Sequence, residues 1–121
     1  MLRTLSFVFL ILIGFGVLTA QPAHAAMTEQ QKIDSLLNSL ETSDVTFIRN
    51  GTAMTGKEAK AHLQDKLKEL QTQVKTADDF ITKVATQSRE SGKPYMIKQK
   101  NGTEVPAAQW FQQELAKLGN R

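Results

Sequence analysis

The chain has 121 residues, no cysteine and two histidines, and its 15 lysines and arginines against 12 aspartates and glutamates give a net charge of +3. This length accommodates one domain and excludes a Rossmann pair of units or a TIM barrel. The absence of cysteine excludes disulfides, thiolate nucleophiles, zinc fingers, iron–sulfur clusters and lipid attachment through cysteine. Because the net charge is small and histidines are few, we expect no nucleic-acid partner, no metal and no cofactor.

Residues 1–25 have the pattern of a secretory signal peptide. Arg3 gives a positive start, residues 5–18 form an uncharged apolar run, and Ala23-His24-Ala25 places small residues at the positions that signal peptidase reads. The apolar run is shorter than the roughly 20 residues of a spanning helix, which favours cleavage over a membrane anchor. We therefore expect export, a cut before Ala26 and no membrane association after cleavage.

The first predicted elements after this segment are a helix and a β-hairpin. A capping box begins at Thr28, and apolar residues then recur at intervals of three and four, which predicts an amphipathic helix over about residues 29–41. Segments 45–49 and 52–54 flank Asn50-Gly51, a dipeptide that tolerates the positive φ values of a type I′ turn. These segments predict a hairpin.

Two helices are predicted next. Thr55 begins a second capping box and opens a long helix with an apolar stripe formed by Ala59, Leu63, Leu67, Leu70 and Val74. Thr76 and the acidic pair Asp78-Asp79 mark the start of a helix over about residues 77–89, since acidic side chains complement a helix N-terminus.

The last part of the chain repeats the pattern of a hairpin followed by a helix. The cluster at 91–94 contains glycine and proline and breaks the preceding helix. Segments 95–98 and 103–105 are predicted strands joined through Asn101-Gly102, and Pro106 starts a last helix. The inward-facing residues of that helix are predicted to be Trp110, Phe111, Leu115 and Leu118.

Residues 26–121 are therefore predicted to form a single small α+β domain of about four helices and two hairpins, in the order α-ββα-α-ββα. Arg49-Asn50-Gly51-Thr52 and Lys100-Asn101-Gly102-Thr103 form a short internal repeat. The two hairpins could join into one small antiparallel sheet packed on helices, or each could lie separately on a helical core.

His62 is the candidate residue best suited to acid–base chemistry. It lies beside the apolar stripe of its helix, with Lys66 at i+4 on the same side. The pair could form a general base with an electrostatic helper, or His62 could be a boundary residue that donates a hydrogen bond to a loop. Arg49, at a strand end before a tight turn, could bind an anion.

Three further candidates lie in the second half of the chain. Ser91 and Gly92 lack the sequence context of a serine nucleophile and are typical of a helix C-terminus. The ring of Tyr95 is expected at the core edge, with its hydroxyl exposed or hydrogen-bonded. Trp110 and Phe111 are adjacent, so one is expected in the core; an exposed aromatic ring beside Tyr95 would form a contact surface. A buried anchor for the last helix is the simpler interpretation of Trp110.

Several ordered segments resemble the YfeK-like proteins, which are small exported bacterial proteins of unknown function. The segments are 47–51, 59–63 with Lys66, 76–77 with 80–81, 91–95 and Trp110, and the resemblance covers about residues 33–118. It implies a bacterial, periplasmic protein and supplies no catalytic residues. Arg49, His62 and segment 91–95 match the family pattern.

These observations favour a non-catalytic binding or protein-interaction module whose partner is an envelope protein or a small ligand. The alternative is a small hydrolase or transferase that uses His62 as general base, with Lys66 or Arg49 holding an anionic group. The second hypothesis predicts that His62 faces a concave pocket within hydrogen-bond reach of Ser88, Ser91 or Tyr95. The sequence gives no indication of the oligomeric state.

Overall fold

The computed structural model describes residues 26–119, so the predicted signal peptide lies outside the described residues. Its helices are α1 (Glu29–Thr42), α2 (Gly56–Leu70), α3 (Ala77–Asp79) and α4 (Ala107–Gly119), and its strands are β1 (Thr46–Arg49), β2 (Thr52–Thr55), β3 (Met96–Lys98) and β4 (Glu104–Pro106). A 3₁₀ turn (Gln71–Gln73) follows α2, and a π-helical turn (Phe80–Val84) continues α3. The α+β class and the predicted element order are confirmed. None of the helices in the described range is long and apolar enough to cross a membrane.

Both predicted capping boxes are present, and the predicted helix start at Thr76 is a third. Thr28, Thr55 and Thr76 each accept a hydrogen bond from the backbone N–H three residues on, and the side chain of that third residue accepts from the N-cap backbone. Because these bonds satisfy N–H groups that a helix leaves without partners, they define where α1, α2 and α3 begin.

The two hairpins join into one four-stranded antiparallel sheet in the order β2-β1-β3-β4. The central pair is β1–β3, in which Phe47 lies opposite Ile97. Met54 and Val105 extend this row across the outer strands, where they are partly buried and pack against the core that contains Phe47 and Ile97. Because side chains alternate between the faces of a strand, the row defines one face that the helices cover.

The two hairpin turns differ. Asn50 and Gly51 both have positive φ, 51° and 79°, and Arg49 pairs with Thr52, which is the two-residue turn that the sequence predicts. In the second hairpin Lys98 pairs with Glu104, and the intervening five-residue loop has positive φ at Gly102. The prediction of a second hairpin is confirmed, although its loop is longer than the first.

The predicted helix over residues 77–89 is too long. Helical geometry ends at Val84, and residues 85–95 form a loop, here called the 85–95 loop. Backbone bonds to Thr86 from Tyr95, and between Ser88 and Lys93, fold this loop back on itself. Hydrogen bonds within the loop therefore replace the helical ones that residues 85–89 would have made. Helix α4 likewise begins one residue after Pro106, which closes β4.

Close packing around α2 and α4 fixes the core. A Cβ atom on Gly56, the first residue of α2, would lie 1.8 Å from the carbonyl oxygen of Leu40, so α1 and α2 approach closely there. Trp110 and Phe111 are both buried and meet edge to face with ring centroids 5.1 Å apart. The structure therefore supports the interpretation of Trp110 as a buried anchor of α4, and within residues 26–119 neither Trp110 nor Phe111 forms an exposed aromatic surface beside Tyr95.

Candidate functional site

A polar cluster forms where α2, the end of β1 and the 85–95 loop meet. The i, i+4 spacing places His62 and Lys66 on the same side of α2. On β1, Arg49 points to the same face of the sheet as Phe47, and Tyr95 precedes β3 on the same face as Ile97. Strand alternation thus brings Arg49 and Tyr95 to the helix that carries His62 and Lys66.

Hydrogen bonds connect three of these side chains in a row. The Lys66 ammonium donates to the Tyr95 hydroxyl at 3.3 Å, and that hydroxyl lies 3.2 Å from Nε2 of His62. If His62 carries its proton on Nδ1, the Tyr95 O–H donates to Nε2 while its oxygen accepts from Lys66. The rings of His62 and Tyr95 meet edge on with centroids 6.0 Å apart.

Lys66 is a buried cation. Its residue surface is only 6% exposed, and its Nζ also donates to the carbonyl oxygen of Gln87 at 2.7 Å. Among the described residues, no carboxylate lies within ion-pair distance of this ammonium. Burial, together with the positive charges of Arg89 and Arg49, lowers the pKa of Lys66 to about 8.

Burial also shifts the pKa values of the other two members of the row, His62 and Tyr95. Desolvation, followed by the positive charges of Arg49 and Lys66, lowers the pKa of His62, so the imidazole is neutral at pH 7. Burial raises the pKa of Tyr95, so its hydroxyl stays protonated at that pH. The row therefore holds a cation, a neutral phenol and a neutral imidazole.

These groups line an open pocket of about 280 Å³, here called the Lys66 pocket. Its walls are formed by Arg49, His62, Asp65, Lys66, Glu69, Arg89, Glu90 and Tyr95. Arg49 bonds Glu90 at 2.8 Å, and Arg89 bonds Glu69 at 2.6 Å. The side chains of Glu90 and Glu69 are 76% and 62% exposed, so the carboxylates lie at the rim while Lys66 and Tyr95 are deep.

Arg49 has one buried donor behind the wall of this pocket. Its terminal nitrogen reaches Glu90, but its Nε is buried and has no hydrogen-bond partner among the described residues. Because this Nε is closed off from solvent, a ligand in the pocket would meet the terminal nitrogens of the guanidinium and not Nε. Arg49 also lies close enough to the Tyr95 hydroxyl to oppose the rise that burial causes in the pKa of Tyr95.

Asn50 links the first hairpin to the 85–95 loop. Its side-chain nitrogen donates to Oγ of Ser88 at 3.2 Å, and its side-chain oxygen accepts from Oγ of Ser91. Gly92 has a φ of 73° and donates its backbone N–H to the carbonyl oxygen of Ser88 at 2.8 Å. Ser91 and Gly92 therefore shape the loop and do not line the pocket.

Of the candidates chosen from the sequence, the structure brings together Arg49, His62, Lys66 and Tyr95. The geometry also meets the condition set for His62, since it faces a pocket within reach of Tyr95. Trp110 lies in the core and does not line the pocket. In residues 26–119, no three His, Asp or Glu side chains converge as metal ligands.

Sequence reasoning missed four pocket residues. Asp65 and Glu69 lie at i+3 and i+7 from His62, so the helical spacing of these polar residues is a signal that was available. Arg89 and Glu90 were hidden because that segment was assigned to a helix or its end. Their contacts with α2 and β1 depend on the loop that the sequence does not indicate.

The fold and pocket define a small α+β domain in which helices cover one face of a four-stranded antiparallel sheet and a polar pocket opens at one end of the β1–β3 pair. Residues 27–119 match the model of a family of unknown function, DUF5329, and the chain belongs to that family. It is 41% identical over 83 residues to "Uncharacterized protein YfeK" of Salmonella typhimurium, an alignment that spans 66% of this chain and 69% of the relative. The resemblance to YfeK-like proteins is thereby confirmed. No solved structure gives a significant match to the chain.

Proposed function

We propose that this protein is an exported, non-catalytic binding module that holds a small anionic group in the Lys66 pocket. The observation that carries the proposal is the pair of cationic donors, Lys66 and Arg49, in one pocket. Lys66 has no carboxylate partner among the described residues, and the guanidinium of Arg49 lines the same pocket. An anion would supply acceptors to both, and charge-assisted hydrogen bonds are the stronger kind.

The distribution of charge supports an anion at the bottom of the pocket. Lys66 is buried, whereas the acidic side chains of Glu69 and Glu90 are largely exposed at the rim, where solvent screens them. The volume of about 280 Å³ lies at the small end of ligand pockets, so the ligand class is a small carboxylate, phosphate or sulfate group.

Titration with inorganic phosphate tests this function. We expect amide NMR shifts concentrated on α2, on the end of β1 and on the 85–95 loop, together with a raised melting temperature. Arg49→Gln should weaken binding, and Lys100→Gln is the matched control because Lys100 precedes Asn101-Gly102 as Arg49 precedes Asn50-Gly51. Shifts that scatter over surface lysines, or that persist in Arg49→Gln, would refute a specific site.

The second candidate function is that of a small hydrolase or transferase with His62 as general base. The observation in its favour is the row Lys66–Tyr95–His62 on a pocket wall, in which the imidazole is neutral and able to accept a proton. Against it, Ser88 is buried and bonded to Asn50, so it is not presented as a nucleophile. Hydrolysis of activated ester and phosphate substrates that is lost in His62→Ala would favour this candidate over a binding module.

Export rests on the composition of residues 1–25 and on the start of the family match at residue 27, directly after the expected cut. The proposed location is the periplasm of a bacterial cell. N-terminal sequencing of the product recovered from a periplasmic fraction tests it, with Ala26 as the expected first residue. A product that begins upstream of Gln21, or that stays with the membrane fraction, would contradict it.

A further inference from the structure

The surroundings of Lys66 are those of an amine that can react as well as bind. Besides its bond to carbon, the tetrahedral Nζ has three directions for a hydrogen or a lone pair. Two of these directions are taken by hydrogen bonds to fixed acceptors, the Gln87 carbonyl and the Tyr95 hydroxyl. A neutral amine has two hydrogens and one lone pair. The two acceptors therefore match the two hydrogens of the neutral form, which leaves the lone pair on a side chain that lines the pocket.

The electrostatic setting supports that neutral form. With a pKa of about 8, roughly a tenth of Lys66 is unprotonated at pH 7. For an ordinary lysine with a pKa near 10.4, the unprotonated fraction at that pH is below about one in a thousand. Desolvation and neighbouring cations are the recognised means by which lysine becomes a nucleophile toward carbonyl groups.

The pocket also contains a side chain that can bind a carboxylate near the amine, Arg49. Arg49 and Lys66 line the same pocket, and Arg49 is close enough to contribute to the lowered pKa of Lys66. The guanidinium geometry suits a carboxylate. A molecule with a carboxylate adjacent to a carbonyl would bring its carbonyl carbon to Lys66 while its acid group faces Arg49.

We propose that Lys66 captures small α-keto acids as imines in the Lys66 pocket. This inference rests on the proposed function, because the acid group of the keto acid occupies the anion site. It goes beyond that function by naming a ligand class and a covalent bond.

The reaction balances without an oxidant, reductant or metal. The lone pair of Nζ attacks the carbonyl carbon, a C–N bond forms, and one proton passes from nitrogen to the former carbonyl oxygen. The carbinolamine then loses its hydroxyl group as water when the C–O bond breaks, taking the second proton of the amine. The Tyr95 hydroxyl can give the proton to the departing oxygen and regain the one released by nitrogen, with neutral His62 as its hydrogen-bonded partner.

Reductive trapping with pyruvate as the probe tests the proposal. The purified protein, as processed by the expressing cell, is incubated with pyruvate and cyanoborohydride and then analysed by intact mass spectrometry and peptide mapping. We expect one predominant adduct, on Lys66. Tyr95→Phe keeps the buried ring and removes the hydroxyl, and it should slow trapping at least about tenfold.

Lys66→Arg keeps the positive charge but cannot form the imine, so it should give no predominant adduct. Because peptide mapping assigns the lysine in the wild-type protein, the result does not depend on the folding of this variant. Adducts spread over exposed lysines such as Lys100, or no adduct, would overturn the inference. If phosphate still binds in that case, imine capture fails and the anion site stands; if phosphate does not bind either, the proposed function fails as well.

Discussion

The two hairpins share the pattern of a basic residue followed by Asn-Gly-Thr, but their side chains make different contacts. Arg49 lies on the helix-covered face and pairs with Glu90, whereas Lys100 lies 3.9 Å from Asp44 in a pair that is about 80% exposed on both sides. Asn50 bonds two serines of the 85–95 loop, whereas the Asn101 side chain accepts only from the backbone of Thr103. The Asn-Gly-Thr sequence is shared, and of the two hairpin turns the first alone contributes a residue to the pocket.

This difference follows from position in the sheet. β1 is a central strand that contacts both β2 and β3, so its last residue lies beside Tyr95 and α2. The second hairpin is formed by β3 and the edge strand β4, and its loop leaves the sheet at the opposite end from the 85–95 loop because β3 begins where that loop ends. Identical local motifs therefore acquire different roles through the tertiary structure.

The largest expected effect is on stability, and it distinguishes the helix that follows the first hairpin, α2, from the helix that follows the second, α4. Gly56→Ala would place a Cβ against the Leu40 carbonyl, so we expect a loss of about 3 kcal/mol in the free energy of unfolding, measured by urea denaturation. The equivalent position after the second hairpin is Ala107, where a Cβ is already accommodated. Gly119→Ala is the control, because nothing lies within 4 Å of the added Cβ. Equal stabilities of the two variants would show that α1 and α2 do not approach as described.

The next effect concerns ligand binding. Arg49→Gln should reduce phosphate affinity roughly 10- to 100-fold, as expected for the loss of a charge-assisted hydrogen bond, and Lys100→Gln should leave affinity unchanged. Isothermal titration calorimetry measures both. A similar reduction in the two variants would indicate binding to general surface charge and would remove the contrast between the hairpins.

The pH dependence of anion affinity tests whether Lys66 binds the anion. With a pKa of about 8, its protonated fraction falls about tenfold between pH 7 and pH 9, and sulfate affinity should fall in parallel. Sulfate is the suitable probe because its charge is constant over this range. Lys66→Arg should keep its affinity across the same interval, since arginine stays protonated. A wild-type affinity that does not change up to pH 10 would contradict the assignment of Lys66 as the anion's partner.

The same titration has the opposite effect on stability. The folded-state pKa of Lys66 is below that of the unfolded chain, so the unfolded chain binds more protons between about pH 8 and pH 10. The contribution of Lys66 to the free energy of unfolding therefore rises with pH through that interval, and Lys66→Met should remove that rise. The charged or titratable groups that face Lys66 are Arg49, His62, Glu69, Arg89 and Tyr95.

The smallest effect compares the two turn asparagines. Asn50→Ala should cost about 1–2 kcal/mol in the free energy of unfolding, because it removes two side-chain hydrogen bonds and places alanine at a φ of 51°. Asn101→Ala should cost about half as much, since its side chain makes one exposed bond within its own loop. Chemical denaturation of both variants checks the difference, and equal losses would mean that Asn50 does not hold the 85–95 loop.

Sequence reasoning predicted the local elements well where side chains within a few residues decide them. The capping boxes at Thr28, Thr55 and Thr76 and the turn at Asn50-Gly51 depend on neighbours in the chain, and all four are present. It also placed His62 beside the core. The predicted end of the third helix was wrong because the backbone of residues 86–88 forms hydrogen bonds with Lys66, Lys93 and Tyr95.

By itself, the sequence determined the α+β class, the order of elements, the family and four of the eight residues that line the pocket. Only the tertiary structure decided that the hairpins form one sheet, that Trp110 and Phe111 are both buried, and that Arg89 and Glu90 face α2 and β1. The physical reason is the range of the interactions. Caps and tight turns are satisfied within a few residues, whereas the desolvation and hydrogen bonding of Lys66 depend on groups 21 and 29 residues away in the chain.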